Sequence, residues 1–278
     1  MLSLGEDAAR AEAARASGAP ATDVVSVRRR DGGGVPVFIC EHASNRFPDR
    51  FGTLGLTAEE RLSHIAWDPG ALSLAEALSA RFDAPLVAAE VSRLLYDCNR
   101  PPEHPGAIAV RSEVTDIPGN AALDAAGRAA RTEAIYRPFR AAADALLDER
   151  AASRRACAVV TIHSFTPTYL GRPRAVEIGI LHDEDARLAD ALLHAVPTDG
   201  GGYRIARNEP YGPADGVTHS LAIYGIRRGL PNVMIEVRND LLATPDGARR
   251  VADTLDAMLR RALPAIGLTP GREEVGHG

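Results

Sequence analysis

The chain has few cysteines. The three present, Cys40, Cys98 and Cys157, are odd in number and widely spaced, which excludes a disulfide framework and a Cys-x-x-Cys metal site. Each sits in or beside an apolar run and reads as a buried free thiol, in keeping with a reducing cytoplasm. Long apolar stretches are also missing. None approaches the ~20 residues that span a bilayer, so no membrane partner is expected. The opening segment, MLSLGEDAARAEAARASGAPATD, has neither a basic start nor an apolar core and is not a secretory signal. Positive charge is not in excess: the formal net charge is −5, which gives no reason to expect nucleic acid. The glycines at 200–202 lack the Lys-Ser/Thr of a phosphate loop, which speaks against nucleotide binding.

Hydrophobic residues make up 45% of 278 positions, enough for one α/β domain with a real core. No repeat or long linker interrupts the chain. Residues 1–30 read as a flexible, Ala-rich extension, 31–268 as a single domain and 269–278 as a frayed tail. Strand-length apolar runs (VPVFIC at 35–40, APLVAAEVS at 84–92, ACAVVTIHSF at 156–165, RAVEIGILHD at 174–183, PNVMIEVRND at 231–240) alternate with helical patterns. The segment 120–155 reads as one or two helices, with Pro138 placing a kink or break. Continuous apolar runs separated by helices indicate a sheet covered on both faces. In such folds the ligand crevice lies outside the carboxyl ends of the strands.

Polar residues gather at those ends. His42 and His163 are candidate metal ligands, since imidazole commonly binds zinc and a catalytic zinc usually takes three protein ligands. Glu236 lies within the last apolar run, where a carboxylate is costly unless paired or bound. It reads either as a general base or as the ion-pair partner of Arg238 or Arg227. Asp68 is either the third ligand or the cap of the helix that Pro69 starts. Glu41 competes for the third-ligand role, which requires the chain to turn after the strand. Arg93 suits the anchoring of a substrate carboxylate, and Asn99 and Arg100 share its stiff loop. Tyr96 and Asp97 read as packing and local hydrogen bonding. Asn208, Tyr211 and His219 lie in a polar, Gly/Pro-rich loop that reads as a lid or a surface turn. His64 and His104 look peripheral. Neither Ser44 nor Ser164 sits in a Gly-x-Ser-x-Gly elbow.

CEHASNRFP (40–48), HIAWDPGA (64–71), SRLLYDCNRPP (92–102), TIHSFTP (161–167), EIGIL (177–181), NEPYG (208–212) and IEVRNDL (235–241) occur in order and together resemble the N-formylglutamate amidohydrolase family, within the zinc carboxypeptidase-like group. The resemblance implies a three-layer α/β/α fold of the phosphorylase/hydrolase-like kind, with a mixed, mostly parallel sheet. It further implies zinc on His42 and His163, Glu236 as catalytic carboxylate, and Asn99-Arg100 holding a substrate carboxylate and polarising the scissile carbonyl. One departure stands out. The carboxypeptidase pattern has a ligating Glu three residues after the first histidine, and here that position is Asn45. Asp68 or Glu41 must then supply the third ligand. The expected activity is zinc-dependent hydrolysis of an amide in a small N-acyl amino acid, with a carboxylate-bearing substrate, in the cytoplasm. A homo-oligomer is compatible with this reading. The alternative is a non-catalytic small-molecule binding protein that retains the fold.

Overall fold

Pro36–Cys40 and Ala158–Phe165 are buried along their whole length, as inner strands covered on both faces should be. A computed structural model describes residues 23–197 and 200–269. Its main sheet has seven strands: β1 Val25–Arg28, β2 Pro36–Cys40, β3 Leu86–Ala89, β4 Ala158–Phe165, β5 Ile178–Leu181, β6 Ile205–Arg207 and β7 Asn232–Arg238. They lie in the order β1-β3-β2-β4-β7-β5-β6. Strands β3, β2, β4 and β7 run parallel. β1 is antiparallel to β3, and β5 is antiparallel to β7 but parallel to β6. The sheet is therefore mixed and mostly parallel.

The longer helices are α1 Ala71–Phe82, α2 Arg137–Ala152, α3 Arg187–His194 and α4 Pro245–Ala265. Strand alternation divides the core between the two faces. Phe38, Cys40, Val160, Ile162, Val233 and Ile235 pack with α1, α3 and α4. Val37, Ile39 and Val159 pack with Phe139, Ala143 and Leu146 of α2 and with the loops around Tyr96 and Ile108. This is a three-layer α/β/α fold. In α1, Leu74 and Leu78 are fully buried one turn apart, so truncating either to Ala would cost about 2–5 kcal/mol. All three cysteines are free and buried. Among the described residues, no helix is long and apolar enough to cross a membrane.

Two features, the start of the domain and an edge strand, differ from the sequence reading. The domain begins before residue 31: Val25 and Val27 pair with Ala89 and Val87, because a Val-x-Val alternation offers one apolar side to the sheet. Residues 1–22 of the expected extension, and the tail from 270, lie outside the described residues. The segment from 120 to 155 agrees with the reading of one or two helices interrupted near Pro138. Ala125–Arg131 passes through a π-helical turn, Thr132–Tyr136, into α2, and Pro138 sits in the first turn of α2. The widened turn accommodates a residue that has no N–H to donate. Strand β6 was missed because Ile205–Arg207 is short and lies at the sheet edge.

Candidate active site

Parallel β2, β4 and β7 bring their carboxyl ends to one edge of the sheet. The chain turns directly after β2, at Glu41 and His42. His163 lies in β4 and Glu236 in β7, at directly paired register positions. On its other side Glu236 faces Gly179 of β5, where a Cβ would lie 2.0 Å from the Glu209 carbonyl oxygen. Asp68 arrives from the loop before α1, where its N–H donates to the His42 carbonyl at 2.9 Å. Asp68 does not cap the helix. Gly70 is the N-cap residue, in the left-handed region at φ 83°, and a Cβ there would lie 2.5 Å from Leu242 Cβ. The Asp68 carboxylate points instead toward the strand ends, where its Oδ2 accepts from the Ser164 N–H at 3.2 Å.

There Asp68 Oδ2 lies 3.3 Å from His42 Nδ1 and 3.0 Å from His163 Nδ1, and the two Nδ1 atoms are 3.2 Å apart. Candidate ligand atoms of His42, Asp68 and His163 all fall within 4.8 Å of one another, and all three residues are buried. The outer edges of the rings meet carboxylates. His42 Nε2 donates to Asp97 Oδ1 at 2.7 Å. His163 Nε2 is 3.1 Å from Glu41 Oε2, an ionic contact out of hydrogen-bond alignment. The Asp97 hydrogen bond turns the N–H of His42 outward and its Nδ1 lone pair inward, and His163 presents Nδ1 to the same point. Two Nδ1 atoms and a carboxylate oxygen facing one another at these distances need a positive charge between them. The residues therefore fit a divalent cation bound by two imidazoles and one carboxylate.

The electrostatics agree. Burial alone would depress the His163 imidazole, but Glu41 and Asp68 override it and hold it well above its ordinary value. Burial and Arg93 oppose charge on His42, yet Asp97 and Asp68 raise it. Burial opposes ionisation of Asp68 as well, but His42, His163 and Arg93 keep its carboxyl below the usual range. Glu236 goes the other way. Burial, reinforced by the Asp68 charge against the pull of His163, pushes it up to about 7, and its Oε2 is buried with no hydrogen-bond partner. Such perturbed groups in a cleft mark a functional site. His42, Asp68, His163 and Glu236 all line one cavity of about 380 Å³.

The N-formylglutamate amidohydrolase family model matches residues 36–243. The chain belongs to the N-formylglutamate amidohydrolase family. A crystal structure of a gene product from Agrobacterium tumefaciens is similar, with 51% identity and a TM-score of 0.85, over 88% of this chain and 96% of that one. The crystal structure of an N-formylglutamate amidohydrolase from Ralstonia eutropha JMP134 shares the fold at 22% identity and a TM-score of 0.63, over 87% of this chain and 97% of that one. Among curated proteins there is no significant match.

In this member of the N-formylglutamate amidohydrolase family, the other candidate residues divide clearly. Glu41 sits on the Nε2 edge of His163, away from the cluster of ligand atoms, so it backs a ligand and does not compete with Asp68. Asn45 donates to the Arg61 carbonyl and takes no part in the site. Arg93 lines the cavity, but its guanidinium is bound to Asp68 Oδ1 at 3.3 Å and Asp97 Oδ2 at 2.6 Å. Its charge is thus already matched within the protein. Asn99 also lines the cavity, yet its side chain is committed to the Val217 carbonyl at 2.6 Å and the Ser220 N–H at 2.9 Å. Arg100 donates to the carbonyls of Asn99 and Gly216 and, among the described residues, has no carboxylate partner. Tyr211 reaches the cavity. Asn208 and His219 do not line it: Asn208 accepts from the His182 N–H, and His219 Nε2 bonds the Tyr136 hydroxyl. Ser164 Oγ donates to the Pro69 carbonyl, which leaves it unsuited to act as a nucleophile. His64, read as peripheral, lines the cavity and contacts Glu113 at 2.9 Å.

Asp97 is the residue whose importance the sequence did not show. It receives His42 Nε2, Arg93 and the Asn99 N–H. Behind it, Asn120 Nδ2 holds the carbonyls of Leu94 and Ala109 at 2.8 Å each, and Arg131 bonds both Leu95 O and Asn120 Oδ1. This buried network fixes the loop that carries Asp97.

Proposed function

We propose that the chain hydrolyses the amide of a small N-acyl amino acid with the help of a divalent cation, most naturally zinc, held by His42, Asp68 and His163. The observation that carries the reading is the convergence of two Nδ1 atoms and one carboxylate near Glu236, whose buried Oε2 has no hydrogen-bond partner among the described residues. A catalytic zinc with three protein ligands supplies Lewis acidity and makes water a stronger nucleophile near neutral pH. Two imidazoles with one carboxylate suit that ion better than calcium or magnesium, which prefer all-oxygen shells.

The side chains then divide the proton and charge handling. Glu236 accepts the proton of the attacking water and returns it to the departing amine, so amide and water become carboxylate and amine. Burial and the neighbouring Asp68 charge favour its protonated form, which suits a group that must take up a proton and give it back. Arg100 offers the positive charge that the carbonyl oxygen needs as it becomes an oxyanion, where loss of one such donor typically costs about 100- to 1,000-fold. Asp97, through its hydrogen bond, holds the His42 imidazole in the required tautomer, and Glu41 sets a negative charge beside His163.

The test is metal content by mass spectrometry together with turnover of N-formyl and N-acetyl amino acids. One zinc per chain and chelator-sensitive hydrolysis are expected. The variant E236Q should bind zinc like the parent and lose turnover. Near-parental activity in E236Q would remove Glu236 from the mechanism, and a metal-free, inactive parent would favour a binding protein.

A further inference from the structure

The chain contains no lysine. A cationic anchor for a substrate carboxylate is therefore an arginine or a protonated histidine. Around the cavity most arginine charge is already matched. Arg93 is bound by Asp68 and Asp97, and Arg111 by Asp116. Arg100 stands next to Asn99 on the Asp97 side, where the proposed mechanism uses it.

Arg174 is different. It has no carboxylate partner among the described residues. Its guanidinium carbon lies 5.4 Å from the ring centroid of Phe165, 4.7 Å from that of Tyr169 and 4.8 Å from that of Tyr211. All three rings belong to residues that line the cavity. The hydrogen bond from Nη1 to the Thr166 carbonyl is long, at 3.4 Å. Aromatic faces hold a cation in place without consuming its N–H groups, and a guanidinium carries five of them in a planar fork that matches a carboxylate.

The position of Arg174 is also fixed relative to the reactive end. Its N–H donates to the Pro167 carbonyl at 2.8 Å, beside the small ribbon Thr168–Tyr169/Arg172–Pro173. Arg238, two residues after Glu236 on β7, donates to the Arg174 carbonyl at 3.3 Å. Arg174 does not itself line the cavity; its guanidinium stands against the three rings that do.

We propose that Arg174 sets specificity by receiving a carboxylate on the side chain of the acyl amino acid, away from the scissile amide; this rests on the amidohydrolase reading above. The experiment compares N-formyl-L-glutamate with N-formyl-L-glutamine, which has the same shape without the side-chain charge. Both are tested on zinc-loaded parent, R174Q and R174K. Charged hydrogen bonds of this kind predict a loss of about 10- to 150-fold in kcat/KM for N-formyl-L-glutamate in R174Q, mainly in KM. The glutamine compound should change less than about 3-fold, and R174K should retain part of the preference because it keeps charge without the fork. Equal losses on both compounds, or no loss on either, would overturn the assignment while leaving the amidohydrolase reading intact. If the parent hydrolyses neither compound, that reading fails. Calorimetry with L-glutamate and L-glutamine then decides the matter for Arg174: selective weakening of L-glutamate by R174Q supports it, and unchanged binding sinks it.

Discussion

Replacing Asp97 with Asn isolates the support behind one imidazole. Asp97 Oδ1 accepts from His42 Nε2 at 2.7 Å and from the Asn99 N–H at 2.9 Å, and Oδ2 accepts from Arg93 at 2.6 Å. An asparagine of the same shape has one oxygen for these three donors. If that oxygen stays with His42 and Asn99, the new NH2 faces Arg93, which keeps only Asp68 at 3.3 Å. If it turns to Arg93, the NH2 faces His42 and forces the proton onto Nδ1, where it blocks a ligand lone pair. Both outcomes weaken the cation site. Partners of this kind behind a ligating histidine typically change metal affinity by about 10- to 100-fold, or about 1.4–2.7 kcal/mol. Zinc affinity of D97N, measured by competition with a chromophoric chelator, should fall within that range. Metal-free D97N should also unfold at lower temperature than metal-free parent, because Arg93 loses its shorter ion pair. Zinc affinity within twofold of the parent, alongside the lower stability, would show that Asp97 serves the fold alone.

Further outcomes follow from other details. Gly70→Ala must bear a left-handed backbone, at about 1–3 kcal/mol, and an overlap with Leu242, at about 1–3 kcal/mol; chemical denaturation should show a combined loss of about 2–6 kcal/mol, and an unchanged midpoint would contradict the close approach. Asn120→Ala strips two buried carbonyls and Arg131 of a partner, each worth about 1–3 kcal/mol. It should open the 94–109 segment to limited proteolysis, and parental resistance would refute that role. Burial, aided by Arg140 and Arg227, holds His219 down to about 4. Because the unfolded chain takes up this proton near its ordinary value and the folded chain does so only near 4, the associated stability is full above about 6.5 and is lost as pH falls toward 4. In His219→Gln, melting temperature plotted against pH should be flatter across that window; an unchanged slope would place the titration elsewhere.

Much of this arrangement is legible in the sequence, and the remainder has identifiable physical reasons for being hidden. Strands β2, β4 and β7 are readable because inner parallel strands are apolar throughout, so His42, His163 and Glu236 stand out as polar residues at or near their ends. Asp68 remains ambiguous in sequence, since Asp-Pro is also a helix start. What decides it is the place of its carboxylate between His42 and His163, which no local pattern encodes. Asp97 reads as ordinary because its partner His42 lies 55 positions upstream. Arg93 looks like a free anchor until its two carboxylates are seen in space. Asn208 and His219 were grouped with Tyr211 by composition, but a polar loop does not reveal which of its side chains turn inward. Val25–Arg28 was lost to the Ala-rich segment before it, where a four-residue strand gives too short a signal.

His163 and Glu236 occupy facing rungs of adjacent strands. Their separation is therefore set by the spacing of the sheet, about 4.7–4.9 Å between neighbouring strands, and not by any loop. A slip of β7 by one residue would carry Glu236 to the opposite side of the sheet, among the apolar residues under α4. These two candidate groups are thus mounted on inner strands of the sheet, while Tyr169, Tyr211 and Arg174 project from connecting segments. New substrate preferences can be built by rewriting those segments, with the hydrolytic machinery left untouched.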